Sequence, residues 1–308
     1  MSIPRFSIIT PCLNRVEFIA EAVASVLSQN YPSFEHIIVD GGSVDGTLEI
    51  LKKYPHLRVI SETDQGMYDA INKGLELACG EIIGFLNTDD MYGKDVFNAV
   101  AEKFMKQEVF AVAGKALVFS IAANGVSTTV SEFSPKSASL LELSTIGSPY
   151  MNAWFFQKAV FKSIGRFNIS YQIVADRDFM LRFALSDMPY ALLDNVVYQY
   201  RQHFGSMTFD ITDKKLERIV CEHTKLTDVY LRQSGLSPEI MGLIREFRTR
   251  DTVEMAFRNL KKFMITNFFR NYLQGSKYDR RWFMKFVRRL INEIVMASKK
   301  LFSFNENK

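Results

Sequence analysis

Apolar and polar positions follow two rhythms from the N-terminus to Lys106. Phe6–Thr10 is a short β-branched and aromatic run closed by Pro11, the pattern of a buried strand. Between Glu17 and Gln29, Phe18, Ala22, Val26 and Leu27 recur at helical spacing, with Ile19 and Val23 beside them. Glu35–Asp40 predicts a second strand stopped by Gly41 and Gly42, and Thr47–Lys53 a short helix. Arg58–Ser61 predicts a third strand, Tyr68–Ala78 a helix ending at Gly80, Glu81–Asn87 a fourth strand and Lys94–Lys106 a further helix. Such alternation predicts βαβ units, hence an α/β fold with a mostly parallel sheet flanked by helices. Ligands of these sheets bind beyond the carboxyl ends of the strands. The polar residues of this chain gather there.

From Phe110 to Pro149 the pattern loosens into short apolar runs among Ser, Thr and Gly, which predicts irregular strands and loops. Met151–Ile164 and Asp176–Leu185 are expected to be helical, and Ala191–Tyr200 a strand. After Phe209 helical periodicity dominates. In Trp282–Leu301 apolar residues recur at three and four, with Lys285, Arg288 and Arg289 on the other side, the pattern of an amphipathic basic helix. A sheet domain over 1–209 and a basic helical extension over 210–308 follow from these patterns.

Composition narrows the class. The 308 residues are 47% hydrophobic and 23% charged, enough apolar side chain for a full core and too much for disorder. Apolar runs such as Ile82–Leu86 are too short to span a bilayer. Met1–Arg5 leads straight into a strand-like run, so a cytoplasmic location is expected. Cys12, Cys79 and Cys221 are widely spaced, which predicts neither a metal-binding pair nor a disulfide framework. The charge is uneven. Residues 258–300 hold twelve Lys or Arg against Asp279 and Glu293, a net of +10, and 301–308 are neutral, so the total of +4 leaves −6 on 1–257. An acidic body with a basic, aromatic tail predicts a peripheral contact with an anionic membrane surface, a helix pair packed on the domain, or a homo-oligomer.

Several polar clusters can carry chemistry. Thr10-Pro11-Cys12-Leu13-Asn14 ends the first strand, and Asp40 with Gly41-Gly42-Ser43 ends the second. A carboxylate followed by two glycines lets a flat ligand lie against the backbone, though Asp45 or Ser43 capping the next helix explains the same residues. Asn87-Thr88-Asp89-Asp90 follows the fourth strand, and two adjacent carboxylates there suit a hard divalent cation bridging phosphates. In the segment Glu62–Gly74, Asp64 is a candidate N-cap, while Asn72 and Lys73 can point towards a nucleotide. Asp176-Arg177-Asp178 offers a general base at a helix start, or simple dipole matching. His203, at the end of the last strand, is a possible third metal ligand. No phosphate-loop or dinucleotide fingerprint occurs.

Taken together, ITPCLN, IIVDGGSVDGT, ETDQGMYDAINKGLELACGEIIGFLNTDD, VADRDFMLR and YRQHFGSMT resemble glycosyltransferase family 2, with its GT-A fold, in the family's order across roughly residues 5–209. The third segment is similar to bacterial enzymes that assemble surface polysaccharides. The resemblance implies an inverting transfer from a nucleotide-diphosphate sugar, a UDP-sugar first, to a hydroxyl of a glycan or lipid-linked acceptor, with Mg²⁺ or Mn²⁺ as cofactor. It places Thr10, Asn14, Asp40, Asp64, Asn72, Lys73 and Asp89 around the nucleotide sugar. It makes Asp90 and His203 metal ligands, and Asp176 the catalytic base. Two departures stand out: Gly41 replaces the second carboxylate of the family's DDGS, and Ala175 replaces a glutamate before Asp176, leaving Asp178 a rival base. Residues 120–149 and Tyr150–Phe156 are the expected acceptor region. A non-catalytic nucleotide-sugar scaffold of the same fold is the alternative, and no nucleic-acid partner is expected.

Overall fold

The computed structural model describes residues 3–122, 125–206 and 212–305, with side chains to residue 295. The elements are β1 (Phe6–Cys12), α1 (Ile19–Leu27), β2 (Phe34–Asp40), α2 (Thr47–Leu51), β3 (Leu57–Ser61), α3 (Met67–Leu77), β4 (Ile82–Phe85), β5 (Met91–Tyr92) and α4 (Val96–Lys106). They continue with β6 (Ala111–Ile121), β7 (Ser127–Phe133), α5 (Leu140–Ser144), β8 (Trp154–Gln157), α6 (Lys158–Ser163), α7 (Ala175–Ala184) and β9 (Tyr190–Gln202). Four helices follow: α8 (Asp213–Arg232), α9 (Pro238–Lys261), α10 (Ile265–Ser276) and α11 (Trp282–Asn305).

The strands form one mixed sheet in the order β3-β2-β1-β4-β8-β6-β9-β5, with β7 on β6. β1 to β4 are mutually parallel, β6 pairs with β9 in parallel, and β8, β5 and β7 run antiparallel to their partners. The α/β expectation holds, with antiparallel strands inserted in the middle and at the edges. Ile8, Ile9, Ile37, Ile38, Val39 and Ile83 are fully buried, as strands covered by helices on both faces must be.

Two stretches differ from the sequence reading. Ala111–Ile121 is one eleven-residue strand inside the sheet, longer than the short runs suggest, with register shifts at Ala113–Ala116 and Val118/Phe119, and its small residues Ala111, Ala113 and Gly114 face β9 closely. A Cβ at Gly114 would stand 2.2 Å from the Val197 side chain. Met151–Ile164 is a single 3₁₀ turn, the strand β8 and the short helix α6. The aromatic run Trp154-Phe155-Phe156 is buried completely, Trp154 and Phe156 against α7 and Phe155 on the opposite face against Tyr92 and Phe97, and a short apolar run carries no periodicity to separate strand from helix.

Buried Gln29 supplies a cap that spacing does not reveal. Its Oε1 accepts the backbone N–H groups of Val96 (2.9 Å) and Phe97 (3.3 Å) at the start of α4.

The chain forms two compact units, Met1–Ile211 and Thr212–Lys308. The expected boundary at 209/210 falls among 207–211, outside the described residues, as do Met207 and Thr208 of the last motif. The second unit packs Val253, Ala256 and Phe257 of α9 against Trp282 and Phe286 of α11. Gly275 is required there, since its Cβ would lie 2.0 Å from the indole nitrogen of Trp282, which donates to Thr252 Oγ1 (2.8 Å).

Candidate active site

The carboxyl ends of β1, β2, β4 and β9 bring the polar motifs together, and their adjacent carboxylates play different parts. Asp90 turns inward. Its Oδ2 accepts from the Tyr198 hydroxyl (3.0 Å) and Asn87 Nδ2 (3.1 Å), and its Oδ1 from the Arg201 N–H (2.9 Å). Burial, and then the charge of Asp89, push its carboxyl up to about 8 despite these donors. Asp89 faces outward instead, with Oδ2 3.0 Å from His203 Nε2. Asp90, which the resemblance makes the first metal ligand, is thus enclosed by donors, and the carboxylate that faces the imidazole is Asp89.

The imidazole makes this pair informative. His203 Nδ1 stands 2.7 Å from the carbonyl oxygen of Phe204, a contact that requires a proton on Nδ1. In the neutral ring Nε2 then presents a lone pair to a carboxylate oxygen, an arrangement completed only by a proton or a cation between them. These two groups fit a divalent cation, although no cluster of three or more His, Cys, Asp or Glu ligands occurs among the described residues.

Arg201 supports the pair, and sequence reasoning missed it. Its guanidinium is buried between the rings of Phe18 (5.4 Å) and Phe119 (5.1 Å). Nε donates to the Asp89 carbonyl (3.1 Å), and Nη2 pairs with Glu21. Phe18 also packs on the His203 ring at 4.7 Å. Its position beside His203 in YRQH was the only available signal, since Glu21 lies 180 residues away.

At the end of β2, Asp40 is fully buried and engaged by its own loop. It accepts from the backbone N–H groups of Gly42 (3.1 Å) and Ser43 (3.0 Å), from the Ser43 hydroxyl and from the Ser61 hydroxyl (2.7 Å). Burial alone would raise its pKa, but these donors outweigh it and hold the carboxyl below its ordinary value. Asp64 Oδ2 lies where a Cβ of Gly41 would come within 2.7 Å. The glycine that replaces a family carboxylate thus leaves room for another carboxylate. Asn14, at φ 52°, joins the two loops: its Oδ1 accepts from the Val44 N–H (2.9 Å), and its own N–H donates to Ser43 Oγ (2.7 Å). Asp45 accepts from the N–H groups of Val16 (3.1 Å) and Thr47 (3.0 Å), while Gly46 takes the N-cap position.

Three expected nucleotide contacts have other partners. The Thr10 hydroxyl is buried against His36 Nε2 (2.9 Å). Asn72 binds the backbone of Phe167 twice, donating to its carbonyl (2.8 Å) and accepting its N–H (3.1 Å). Lys73 donates to the Thr63 carbonyl (2.9 Å) and pairs with Glu62 (2.8 Å) and Asp69 (3.8 Å). Asp64 is not the N-cap of α3. Gly66 holds that position at φ 119°, and its N–H donates to Asp64 Oδ1 (2.8 Å).

Asn72 has a different use. With Tyr68, whose hydroxyl donates to the Ile173 carbonyl (2.9 Å), it ties α3 to the 165–174 loop that delivers Asp176. In Asp176-Arg177-Asp178 the three side chains diverge. Asp178 is buried and paired with Arg182 (2.9 Å), whose guanidinium also donates to the Ile164 and Arg166 carbonyls. Arg177 donates to the carbonyls of Ser144 (3.2 Å), Thr145 (2.7 Å) and Gly147 (3.1 Å), fixing the loop after α5. Asp176 stays partly exposed, with Oδ1 accepting the Arg177 N–H (2.7 Å). The Tyr200 phenol is raised well above its ordinary pKa, by burial first and then by the charges of Asp90 and Asp176.

The profile described as "Glycosyl transferase family 2" matches residues 7–165. A "PGL/p-HBAD biosynthesis glycosyltransferase" of Mycobacterium bovis is 32% identical over 234 residues, 73% of this chain and 88% of that protein. The chain belongs to glycosyltransferase family 2. This family-2 transferase is also 38% identical over 121 residues, 37% of its length and 48% of the other, to the "Putative teichuronic acid biosynthesis glycosyltransferase TuaG" of Bacillus subtilis. S. aureus TarS 1-349 in complex with UDP-GlcNAc shares its fold at a TM-score of 0.61 and 16% identity, covering 91% of this chain and 92% of that one. The transferase spans 43% of a longer TarS chain. A mannosyltransferase of Pyrobaculum calidifontis, in complex with GDP-Man and Mn²⁺, superposes at a TM-score of 0.55 and 16% identity, covering 93% and 88%.

Proposed function

We propose that this glycosyltransferase moves a sugar from a nucleotide-diphosphate donor to a hydroxyl of a glycan or lipid-linked acceptor in surface-polysaccharide assembly, inverting the anomeric carbon and using Mg²⁺ or Mn²⁺. The observation that carries the reading is the Asp89–His203 pair, whose facing atoms at 3.0 Å need a proton or a cation between them. The names of the mycobacterial and Bacillus relatives, for PGL/p-HBAD and teichuronic acid biosynthesis, support the surface-polysaccharide setting. Structures of the same fold carry UDP-GlcNAc or GDP-Man, which supports a nucleotide sugar, with UDP-sugars the first donors to test.

Asp89 and His203 would hold the cation, which when bound neutralises charge on the diphosphate leaving group. Arg201 keeps the Asp89 backbone and the Phe18–His203 stack in place. Asp64, above Gly41, borders the nucleoside, and Asn14 and Asp40 shape the loops beside it. Asp176 takes the proton from the acceptor hydroxyl as its oxygen attacks the anomeric carbon opposite the leaving diphosphate, so one displacement inverts the centre. Arg177, by fixing the 144–147 loop, sets the acceptor side.

The test is release of nucleoside diphosphate from UDP- and GDP-sugars with Mn²⁺ by the purified chain. Release from one donor class, abolished by Asp176→Asn, is the expected result. Donor binding without turnover, with lipid-linked acceptors present, would overturn the enzyme reading in favour of a nucleotide-sugar-binding scaffold.

A further inference from the structure

The basic tail differs in detail from its sequence pattern. α11 buries Trp282 and Phe286 against α9, and Lys285 and Arg289 lie beside that seam as ion-pair partners. Its solvent face is apolar instead: Phe283 (57% exposed), Val287, Ile291 and Ile294 (67%) recur every three or four residues. α10 repeats the device. Phe268 and Tyr272 pack inward, while Ile265, Phe269 (55%) and Leu273 (67%) recur every four residues on the exposed side. Single exposed apolar residues are ordinary, but two helical rows of them mark an interaction surface.

The charges indicate the partner. Arg258, Lys261, Lys262, Lys285 and Arg289 are matched by Asp213, Glu246, Glu254, Asp279 and Glu293 within the same unit. Arg270, Lys277, Arg280 and Arg288 are exposed and pair with no carboxylate among the described residues. Arg270 follows Phe269 and precedes Leu273 by three residues, and Arg288 lies three before Ile291. Uncompensated cations therefore flank both apolar rows. A second copy would bring like charge to the same faces. A sheet of anionic headgroups over acyl chains satisfies both features, with the apolar rows inserted and the long cationic stems reaching up to phosphate. No helix among the described residues is long and apolar enough to cross a membrane, so such contact lies along the surface.

We propose that the exposed faces of α10 and α11 form a docking surface for an anionic phospholipid bilayer. The surface gives the proposed lipid-linked acceptor a location, but vesicle binding does not depend on catalysis, so the two readings fail separately. The experiment is sedimentation of the full chain with vesicles of equal parts phosphatidylglycerol and phosphatidylcholine, against phosphatidylcholine alone, with light scattering of the free protein. Binding to the anionic vesicles only, weakened by salt, is expected. Phe269→Asp with Ile291→Asp, and separately Arg270→Glu with Arg288→Glu, should each weaken it by at least about tenfold without changing the thermal midpoint. Absent binding, equal binding to neutral vesicles, or binding untouched by either pair of substitutions overturns the proposal. A dimer that Phe269→Asp with Ile291→Asp makes monomeric also overturns it, assigning the face to a second copy.

Discussion

Asp89 Oδ2 and His203 Nε2 stand 3.0 Å apart across 114 residues of chain, while Asp90, next to Asp89, points the other way into a cage of Tyr198, Asn87 and the Arg201 N–H. The two carboxylates of one motif therefore predict opposite mutational results. Asp89→Asn and His203→Ala should each lower kcat/KM by at least about 100-fold, as loss of charge stabilisation at a reacting phosphate does. Asp90→Asn should leave the Mn²⁺ dependence unchanged and lower the thermal midpoint, because its amide N–H₂ meets donors from Tyr198, Asn87 or Arg201 where the carboxylate accepted. Steady-state kinetics across Mn²⁺ concentrations separate the cases.

Asp176 and Asp178 divide in a similar way. Asp176→Asn should cut transfer by about 10²–10⁴-fold while leaving donor binding and the thermal midpoint unchanged. Asp178→Ala removes one member of a buried pair with Arg182 and should cost about 3 kcal/mol of stability. Chemical denaturation beside a transfer assay shows which effect belongs to which residue.

Gly41 and Asp64 are coupled through space. A Cβ on Gly41 meets Asp64 Oδ2 at 2.7 Å, so Gly41→Ala must displace that carboxylate. Gly41→Ala and Asp64→Ala are each expected to raise the donor KM at least about fivefold. The double variant should be no worse than Asp64→Ala, the non-additivity of residues in contact.

His36 predicts a pH dependence of stability. Its ring is completely enclosed, with Nε2 on Thr10, and burial followed by the charge of His56 pushes its pKa down to about 3. An unfolded histidine takes its proton near 6.5, so the unfolded chain binds more protons between those values. The stability held by the neutral ring is complete above about pH 6.5 and is lost as pH falls towards about 3, at up to about 1.4 kcal/mol per pH unit. His36→Leu should fall less steeply over that window in urea titrations, whatever its stability at neutral pH.

Much of the fold is legible in the chain because local and global preferences agree there. β1 to β4 and α1 to α4 follow short apolar runs, period-three-and-four spacing and glycine signals that tertiary packing reinforces. β6 and β8 are not, since Gly114 and the Trp154–Phe156 run take their conformation from partners distant in sequence. At the site, residue types identify the clusters but not their facing. Nothing in Asn87–Asp90 says which carboxylate turns inward, because Tyr198 decides it from 108 residues away. Asn72 reads as a ligand contact for the same reason: its partner, the Phe167 backbone, has no sequence signature.

Calorimetric titration of UDP and GDP into the chain, with and without Mn²⁺, tests the central claim most directly. Binding of one nucleotide should require the metal, vanish in Asp89→Asn and His203→Ala, and persist in Asp90→Asn and Asp176→Asn. A ligand at a hundred times its Kd would then raise stability by about 2.7 kcal/mol, a second readout of the same event. Nucleotide binding indifferent to Mn²⁺ and unchanged in Asp89→Asn would contradict the account, showing that Asp89 and His203 form an ion pair and not a metal-dependent donor site.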